Sequence, residues 1–248
     1  NDPDASARAY VAGLTERNHR VRYVHEPTPG IAAARRRCLA EATGADVLQF
    51  IDDDEIPAPG WLVTMVRTWV GCGRPAAVAG SVMPRYLSPP PEFVSAGGFF
   101  VRRQHPTGTE LPAAPSGNLL LDVGQVRALD VDFDPRLGLR GGEDTLFTRE
   151  LVKRGGRIVF CAEAAIYDLV PDERNTKEWV LQHAWHHGTN HSHVELSRTP
   201  SGAARILLRV RLAVGGAARM AVGGAKAATG LLTGSLERRA KGLRLFWR

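Results

Sequence analysis

Val47-Leu48-Gln49-Phe50-Ile51 is apolar at four of five positions and runs straight into Asp52-Asp53-Asp54-Glu55. An apolar run of that length, just after Gly44-Ala45-Asp46, predicts a strand buried on both faces. Four adjacent carboxylates cannot follow it into an apolar core without something to offset their desolvation. They are therefore expected at the strand's C-terminal end, in the crevice where open α/β sheets bind ligands. On an extended chain Asp52 and Asp54 project to the same side. A sparse set of hard oxygen ligands suits Mg²⁺ or Mn²⁺ shared with a substrate phosphate. The competing reading is an acidic surface turn. Such a turn is an unusual sequel to an apolar strand and an unusual prelude to Pro57-Ala58-Pro59-Gly60-Trp61.

Around this stretch the apolar pattern alternates between strand and helix. A helix is expected from Asp4 or Ser6 to about Leu14. A short strand is expected at Val21–Val24, and a helix from Ile31 to Ala42 that Gly44 ends. A helix from Gly60 to about Cys72 follows, then a strand at Ala76–Val82. This series predicts an α/β fold with a mostly parallel sheet. From Met83 to Pro115 regularity weakens, with a short strand expected at Phe99–Val101. An insertion of that length suits a substrate lid or platform. A strand at Asn118–Asp122, a short helix at Val123–Leu129 and a helix from Glu143 to about Arg154 come next. Short strands at Arg157–Phe160 and Ala164–Tyr167 lead to a long helix from Thr176 to about Ser197.

Charge divides the chain. Residues 202–248 hold ten Lys/Arg and one acid, Glu237, whereas the remaining residues carry a small excess of acids. The net charge of +6 therefore belongs to the tail, and the body gives no ground for nucleic-acid binding. Two domains are expected, a catalytic body at 1–200 and a basic helical tail at 201–248. In the tail, Arg205, Arg209 and Arg211 interleave with Ile206–Val210. Later, Arg238, Arg239, Lys241 and Arg244 flank Leu243, Leu245, Phe246 and Trp247. Basic amphipathic helices of this kind lie on anionic membrane surfaces, and the alternative is a helix packed on the body. Leu212 to Gly234 is long enough to span a bilayer, but Arg219, Lys226 and six glycines oppose spanning. The repeated Ala-Val-Gly-Gly-Ala at 213–217 and 221–225 reads as helix packing. Three dispersed cysteines offer neither a disulfide framework nor zinc spacing and suit a reducing compartment.

Four further groups carry chemistry. Gly141-Gly142-Glu143-Asp144 places two acids at a helix start, where a carboxylate can be held ionised and aimed into a cleft as a general base. Helix capping is the simpler reading of the same residues. Ser116-Gly117-Asn118 can shape a pocket floor for a hydroxyl-rich ligand, or can be an ordinary turn. His183, His186, His187, His191 and His193 crowd one segment without zinc-site spacing, and suit contact with an anionic group. Arg35-Arg36-Arg37 is a solvated helix face from which one arginine can turn towards the crevice and meet a phosphate.

Together these residues resemble family 2 glycosyltransferases of the GT-A fold, Rossmann-like with the sheet sandwiched by helices. Gly30 to Arg35 is similar to their Gly-x-x-x-Ala-Arg-Asn helix, with Arg36 where Asn is usual. Phe50 to Asp54 is similar to their DxD strand. Gly142-Glu143-Asp144 is similar to their acceptor motif, and Trp179–His193 to a helix of succinoglycan-type exopolysaccharide glucosyltransferases. The resemblance covers roughly residues 20–200. It implies inverting transfer of one sugar from a nucleoside-diphosphate sugar, UDP-glucose as the first guess, to a saccharide or lipid-linked acceptor. By the same resemblance Asp54, with Asp52 or Asp53, holds Mg²⁺ or Mn²⁺ and Asp144 is the catalytic base. Gly30, Arg35, Asp53 and Asn118 line the donor side, and Glu143 and Gly142 the acceptor side. Asp168 stands where many members carry a metal-ligating His, and His186 or His187 can face the diphosphate. The segment lacks the Arg-Trp pair of processive relatives, which implies single-sugar transfer. With a lipid-linked acceptor the expected place is cytoplasmic, peripheral on the inner face of the cell membrane through residues 202–248.

The family's first strand, helix and second strand bind the nucleotide base, and this chain begins where that second strand would end. The resemblance thus implies a truncated chain, and the alternative is a catalytically incompetent fragment or binding module. A metal-dependent phosphohydrolase is a third reading of the acids.

Overall fold

The computed structural model describes residues 3–15, 21–137, 141–199 and 201–248. Its helices in chain order begin with α1 (Arg8–Thr15), α2 (Ile31–Glu41), α3 (Trp61–Gly71), α4 (Glu92–Gly97) and α5 (Val123–Ala128). The later ones are α6 (Glu143–Lys153), α7 (Lys177–Arg198), α8 (Ala203–Leu232) and α9 (Leu236–Phe246). The strands are β1 (Val47–Phe50), β2 (Glu55–Pro57), β3 (Ala77–Tyr86), β4 (Leu119–Asp122) and β5 (Ile158–Val170), in the sheet order β1-β4-β3-β5-β2.

The fold is α/β, and the sheet is mixed rather than mostly parallel. β1 and β3 both pair antiparallel to β4, and β2 pairs antiparallel to β5. β3 and β5 advance together, Ala77 N donating to Arg157 O and Leu87 N to Val170 O. β1 stands at the end of the order. An end strand is covered less completely than a central one, and only Phe50 of its four residues is buried. The expectation of burial on both faces is corrected accordingly.

Other local expectations also shift. Val21–Val24 forms no strand, because a strand needs a neighbour to accept its ladder and none of the described strands pairs with it. Phe99 and Phe100 lie in a turn after α4, where Phe99 stacks on Phe93 and Phe100 on Trp179, so aromatic packing takes the place of a strand there. The two short strands expected after α6 are one continuous strand, β5, held first by β3 and then also by β2. β2 was not expected: three residues carry no readable period.

Two compact units are interleaved along the chain. Unit 1 comprises residues 1–51, 63–79 and 106–161. Its core gathers Leu119, Leu120 and Leu121 of β4 with Val78, Met65, Leu151 and Ile158. Phe133 stacks on Phe147 at 4.1 Å between centroids and meets Phe50 edge-on. Unit 2 comprises residues 52–62, 80–105 and 162–248. Its interior holds Val82, Val94, Ala164, Ile166, Val170 and Val180. The tail helices α8 and α9 belong to unit 2 and form a hairpin through Gly234 at φ 65°.

Glycine decides how closely those two helices approach. A Cβ on Gly223 would lie 2.5 Å from Phe246 N, and one on Gly230 would run into the backbone of Arg239 and Ser235. The packing reading of the glycine repeat holds for its second copy. In the first copy, Gly215 and Gly216 have open space where a Cβ would stand. No helix among the described residues is long and apolar enough to cross a membrane.

Candidate functional site

In unit 1 the acceptor-type motif is built on a helix start. Gly141 (φ 76°) and Gly142 (φ 89°) occupy the left-handed region, which a side chain would strain, and they turn the chain into α6. Glu143 and Asp144 then fall in the first turn, where the helix dipole favours negative charge. Glu143 is buried and accepts from Arg35 Nη1 of α2. Of the three consecutive arginines Arg35 alone is buried. Arg36 pairs with Asp132 at 2.8 Å and Arg37 with Glu41 at 2.7 Å on the surface. Of the three arginines it is Arg35 that turns inward, onto Glu143.

Asp144 is half-buried and its Oδ1 accepts from Thr145 N at 2.6 Å. The neighbouring acids thus differ: Glu143 is locked to a guanidinium, whereas Asp144 remains partly open to solvent. Gly30 (φ 110°) stands at the N-terminus of α2, five residues before Arg35. Asn118 is buried with Ser116 and Gly117 at the entry to β4, inside the unit rather than on its surface.

In unit 2 the acidic stretch is a turn. Glu55 N donates to Asp52 O at 3.2 Å, and Asp52 N donates back to Glu55 Oε2 at 2.9 Å. The extended geometry expected for Asp52 and Asp54 is therefore corrected, because the turn breaks the two-residue alternation before β2 begins. Asp53 is exposed. Asp54 finds its neighbour elsewhere: Leu169 N donates to Asp54 O at 3.0 Å, and Glu55 pairs in register with Asp168. The register sets Glu55 opposite Asp168, and the Asp54 charge is felt at the Asp168 carboxyl.

Each of those carboxylates holds an arginine. Arg174 Nη1 lies 3.2 Å from Asp54 Oδ2, and Arg102 Nη2 lies 3.1 Å from Asp168 Oδ2. Burial pushes the Asp168 carboxyl up, Arg102 opposes that, and the charge of Asp54 reinforces it. Glu55 is pushed up to about 7, chiefly by burial, with Asp52 and Asp168 adding to it against the backbone bond and Arg102. Two hard-oxygen donors drawing in positive groups fit a divalent cation completed by substrate phosphate. Among the described residues no group of three or more His, Cys, Asp or Glu side chains is placed to hold a metal ion.

An aromatic ladder runs beside α7. Tyr86 meets Phe100 edge-on, Phe100 stacks on Trp179, Trp179 on His183 at 4.5 Å, and His183 meets His187 edge-on at 4.7 Å. His183 is lowered to about 4, first by desolvation of its stacked ring and then by His187 and His186, while the residue as a whole is exposed. His186 and His187 are exposed. The side chains of His191 and His193 lie outside the described residues.

Sequence reasoning missed Arg102 and Arg174. Both lie in irregular segments, and no local pattern joins them to carboxylates tens of residues away. The one available signal was a count of charges: an acidic cluster needs cations, and these loops contain them.

Comparison with known proteins gives a consistent result. A sequence profile described as "Glycosyl transferase family 2" matches residues 1–126. The succinoglycan biosynthesis protein ExoM of Rhizobium meliloti is 35% identical over 192 residues, which are 77% of this chain and 62% of that protein. The chain thus spans less than two thirds of that relative's length. A glucosyl-dolichyl phosphate glucuronosyltransferase of Haloferax volcanii is 34% identical over 73 residues, 29% of this chain and 23% of that one. Among solved structures, S. aureus TarS (residues 1–349) superposes with a TM-score of 0.51 at 14% identity, covering 79% of this chain and 54% of that one. GalNAc-T7, crystallised with UDP, GalNAc and Mn²⁺, gives 0.53 at 14% identity over 85% of this chain and 46% of that one. At such identities these two establish the GT-A fold alone.

Proposed function

The chain belongs to glycosyltransferase family 2, and on that premise we propose that it transfers one sugar, with inversion, from a nucleoside-diphosphate sugar to a saccharide or lipid-linked acceptor in cell-envelope or exopolysaccharide synthesis. The observation that carries this reading is that Asp54 and Asp168, electrostatically coupled carboxylates, each hold an arginine. A site with that charge pattern suits a metal-bound diphosphate. Mg²⁺ or Mn²⁺ held by Asp54 together with one of Asp52, Asp53 or Asp168 would supply neutralisation of the charge that develops on the leaving diphosphate. Arg102 and Arg174 carry planar forks suited to phosphate oxygens once their carboxylates are otherwise engaged.

Asp144 serves as the base. Its carboxylate takes the proton of the acceptor hydroxyl as that oxygen bonds to the anomeric carbon and the bond to the diphosphate breaks. Glu143, anchored by Arg35, fixes the first turn of α6 and so the position of its neighbour Asp144. Gly142 is assigned to the acceptor side, and the buried Glu143 supports it from beneath. Gly30 and Asp53 are assigned to the donor side, with the buried Arg35 and Asn118 as supports rather than contacts, and His186 or His187 lies towards the diphosphate. UDP-glucose is the first donor to try. A lipid-linked acceptor would put the enzyme at the inner face of the cell membrane.

The test is a transfer and hydrolysis screen across nucleotide sugars, with donor binding followed by calorimetry in Mg²⁺ and in Mn²⁺. Asp144→Asn is expected to abolish transfer and keep donor binding, whereas Asp54→Ala weakens both. Transfer persisting in Asp144→Asn would remove the assigned base, and donor affinity unchanged in Asp54→Ala would remove the diphosphate anchor.

A further inference from the structure

The hairpin of α8 and α9 is amphipathic the wrong way round for a helix packed in water. Its closed seam is lined by glycine. Gly223, Gly230 and Gly242 bring the two backbones together so closely that a Cβ at any of them would strike the opposite helix. The opposite face of α8 is the apolar one. Leu207, Val210, Val214, Ala221, Ala228 and Leu232 share that face and are all apolar and exposed, a run of about 38 Å at the helical rise. Leu207 is 71% exposed, Val214 63% and Leu232 85%. A helix ordinarily turns such a stripe towards a core, and a contiguous exposed stripe of this length marks an interaction surface.

Charge identifies what covers it. α8 contains no Asp or Glu and carries Arg205, Arg209, Arg211, Arg219 and Lys226. Arg209 and Arg211 stand on either side of Val210, at the rim of the stripe, and both are exposed. α9 adds four Lys/Arg against Glu237, which is itself engaged by Lys241. A second copy of this chain would bring a similarly basic helix against the first, and like charges would oppose that pairing. α8 is long but not apolar enough to cross a membrane. A flat, negatively charged apolar boundary satisfies both halves of the pattern: acyl chains take the stripe and anionic headgroups take the rim. At the end of α9, Trp247 meets Trp185 edge-on at 6.0 Å, and both are partly exposed. Trp is the side chain enriched at membrane–water boundaries.

We infer that α8 lies flat on an anionic bilayer, its Leu207–Leu232 stripe in the headgroup–acyl boundary and Arg209 and Arg211 on the lipid phosphates. This deepens the proposal of a lipid-linked acceptor by naming the surface that meets the membrane, and its test needs no nucleotide sugar, so the two can fail separately.

The full chain is sedimented with vesicles of phosphatidylcholine alone and of phosphatidylcholine with phosphatidylglycerol, at low and high salt. Binding is expected on the anionic vesicles, weakening as salt rises. Val210→Asp/Val214→Asp should weaken it by at least about 50-fold, the loss of two buried side chains. Arg209→Gln/Arg211→Gln should weaken binding to anionic vesicles by about 30-fold and leave any binding to neutral ones unchanged. Circular dichroism checks that both variants keep their helix. If the stripe variant loses helix, the salt dependence and the arginine variant carry the test. Absence of binding to anionic vesicles at low salt overturns the inference. So does equal binding by the stripe variant, or a wild-type dimer in light scattering that Val210→Asp/Val214→Asp dissolves.

Discussion

Replacing Arg35 by Met would test how α6 is anchored. The substitution keeps the length and the apolar stem of the side chain and removes only the guanidinium. In the wild type the Arg35 and Glu143 side chains are 8% and 4% exposed, so the pair is shielded from water on both sides. Removing one member leaves a carboxylate in the interior without its cation, a change that costs about 3–5 kcal/mol. With a urea slope of about 2 kcal/mol per molar, the unfolding midpoint falls by about 1.5–2.5 M. Far-UV circular dichroism reads the midpoint, and hydrogen exchange in α2 and α6 locates the loss. The double variant Arg35→Met/Glu143→Leu should recover most of the stability, because a buried ion pair replaced by apolar groups of similar volume is close to neutral. A loss below about 1 kcal/mol for the single variant, or a double variant no more stable than the single one, would refute the argument that burial makes this pair matter.

Two further outcomes can be checked on the isolated protein. Glu55 has a folded pKa of about 7 against an ordinary value of 4.5, so the folded state binds its proton more tightly. Its contribution is fully present below the ordinary value and is lost as pH rises through about 7. Wild type should therefore lose stability across that window, by at most about 3 kcal/mol before allowance for solvent access. Glu55→Gln should flatten the decline in urea unfolding measured from pH 4.5 to 8, and a parallel decline in the variant would exclude Glu55 as its source. In the hairpin, Gly230→Ala gains about 1 kcal/mol of helix propensity but forces a Cβ onto the backbone of Arg239 and Ser235. Overpacking of about 1–3 kcal/mol should prevail, read as faster hydrogen exchange in α9, and slower exchange would show that the helices have room.

Much of this protein was legible in the chain itself, for reasons that are local. Helices α2, α3, α6 and α7 follow from period, glycine stops and the Thr176 cap, each a property of neighbouring residues. The order of the motifs around Gly30, Asp52–Asp54 and Glu143–Asp144 marked the family, and the family profile and the ExoM relative agree with it. The tail's charge and apolar spacing could also be read directly. Tertiary structure alone decided the rest. Whether Val21–Val24 is a strand depends on a pairing partner, and whether β1 is covered depends on its place in the sheet order. The acids at 52–55 close into a turn because Glu55 bonds back to Asp52, which a count of alternating positions cannot foresee. Most of all, the partners of the charged groups were invisible: Arg35 to Glu143, Arg174 to Asp54 and Arg102 to Asp168 join residues separated by 66 to 120 positions. Sequence spacing governs contact only within one helix or strand, and a charge finds its counterpart wherever folding brings one within a few ångströms.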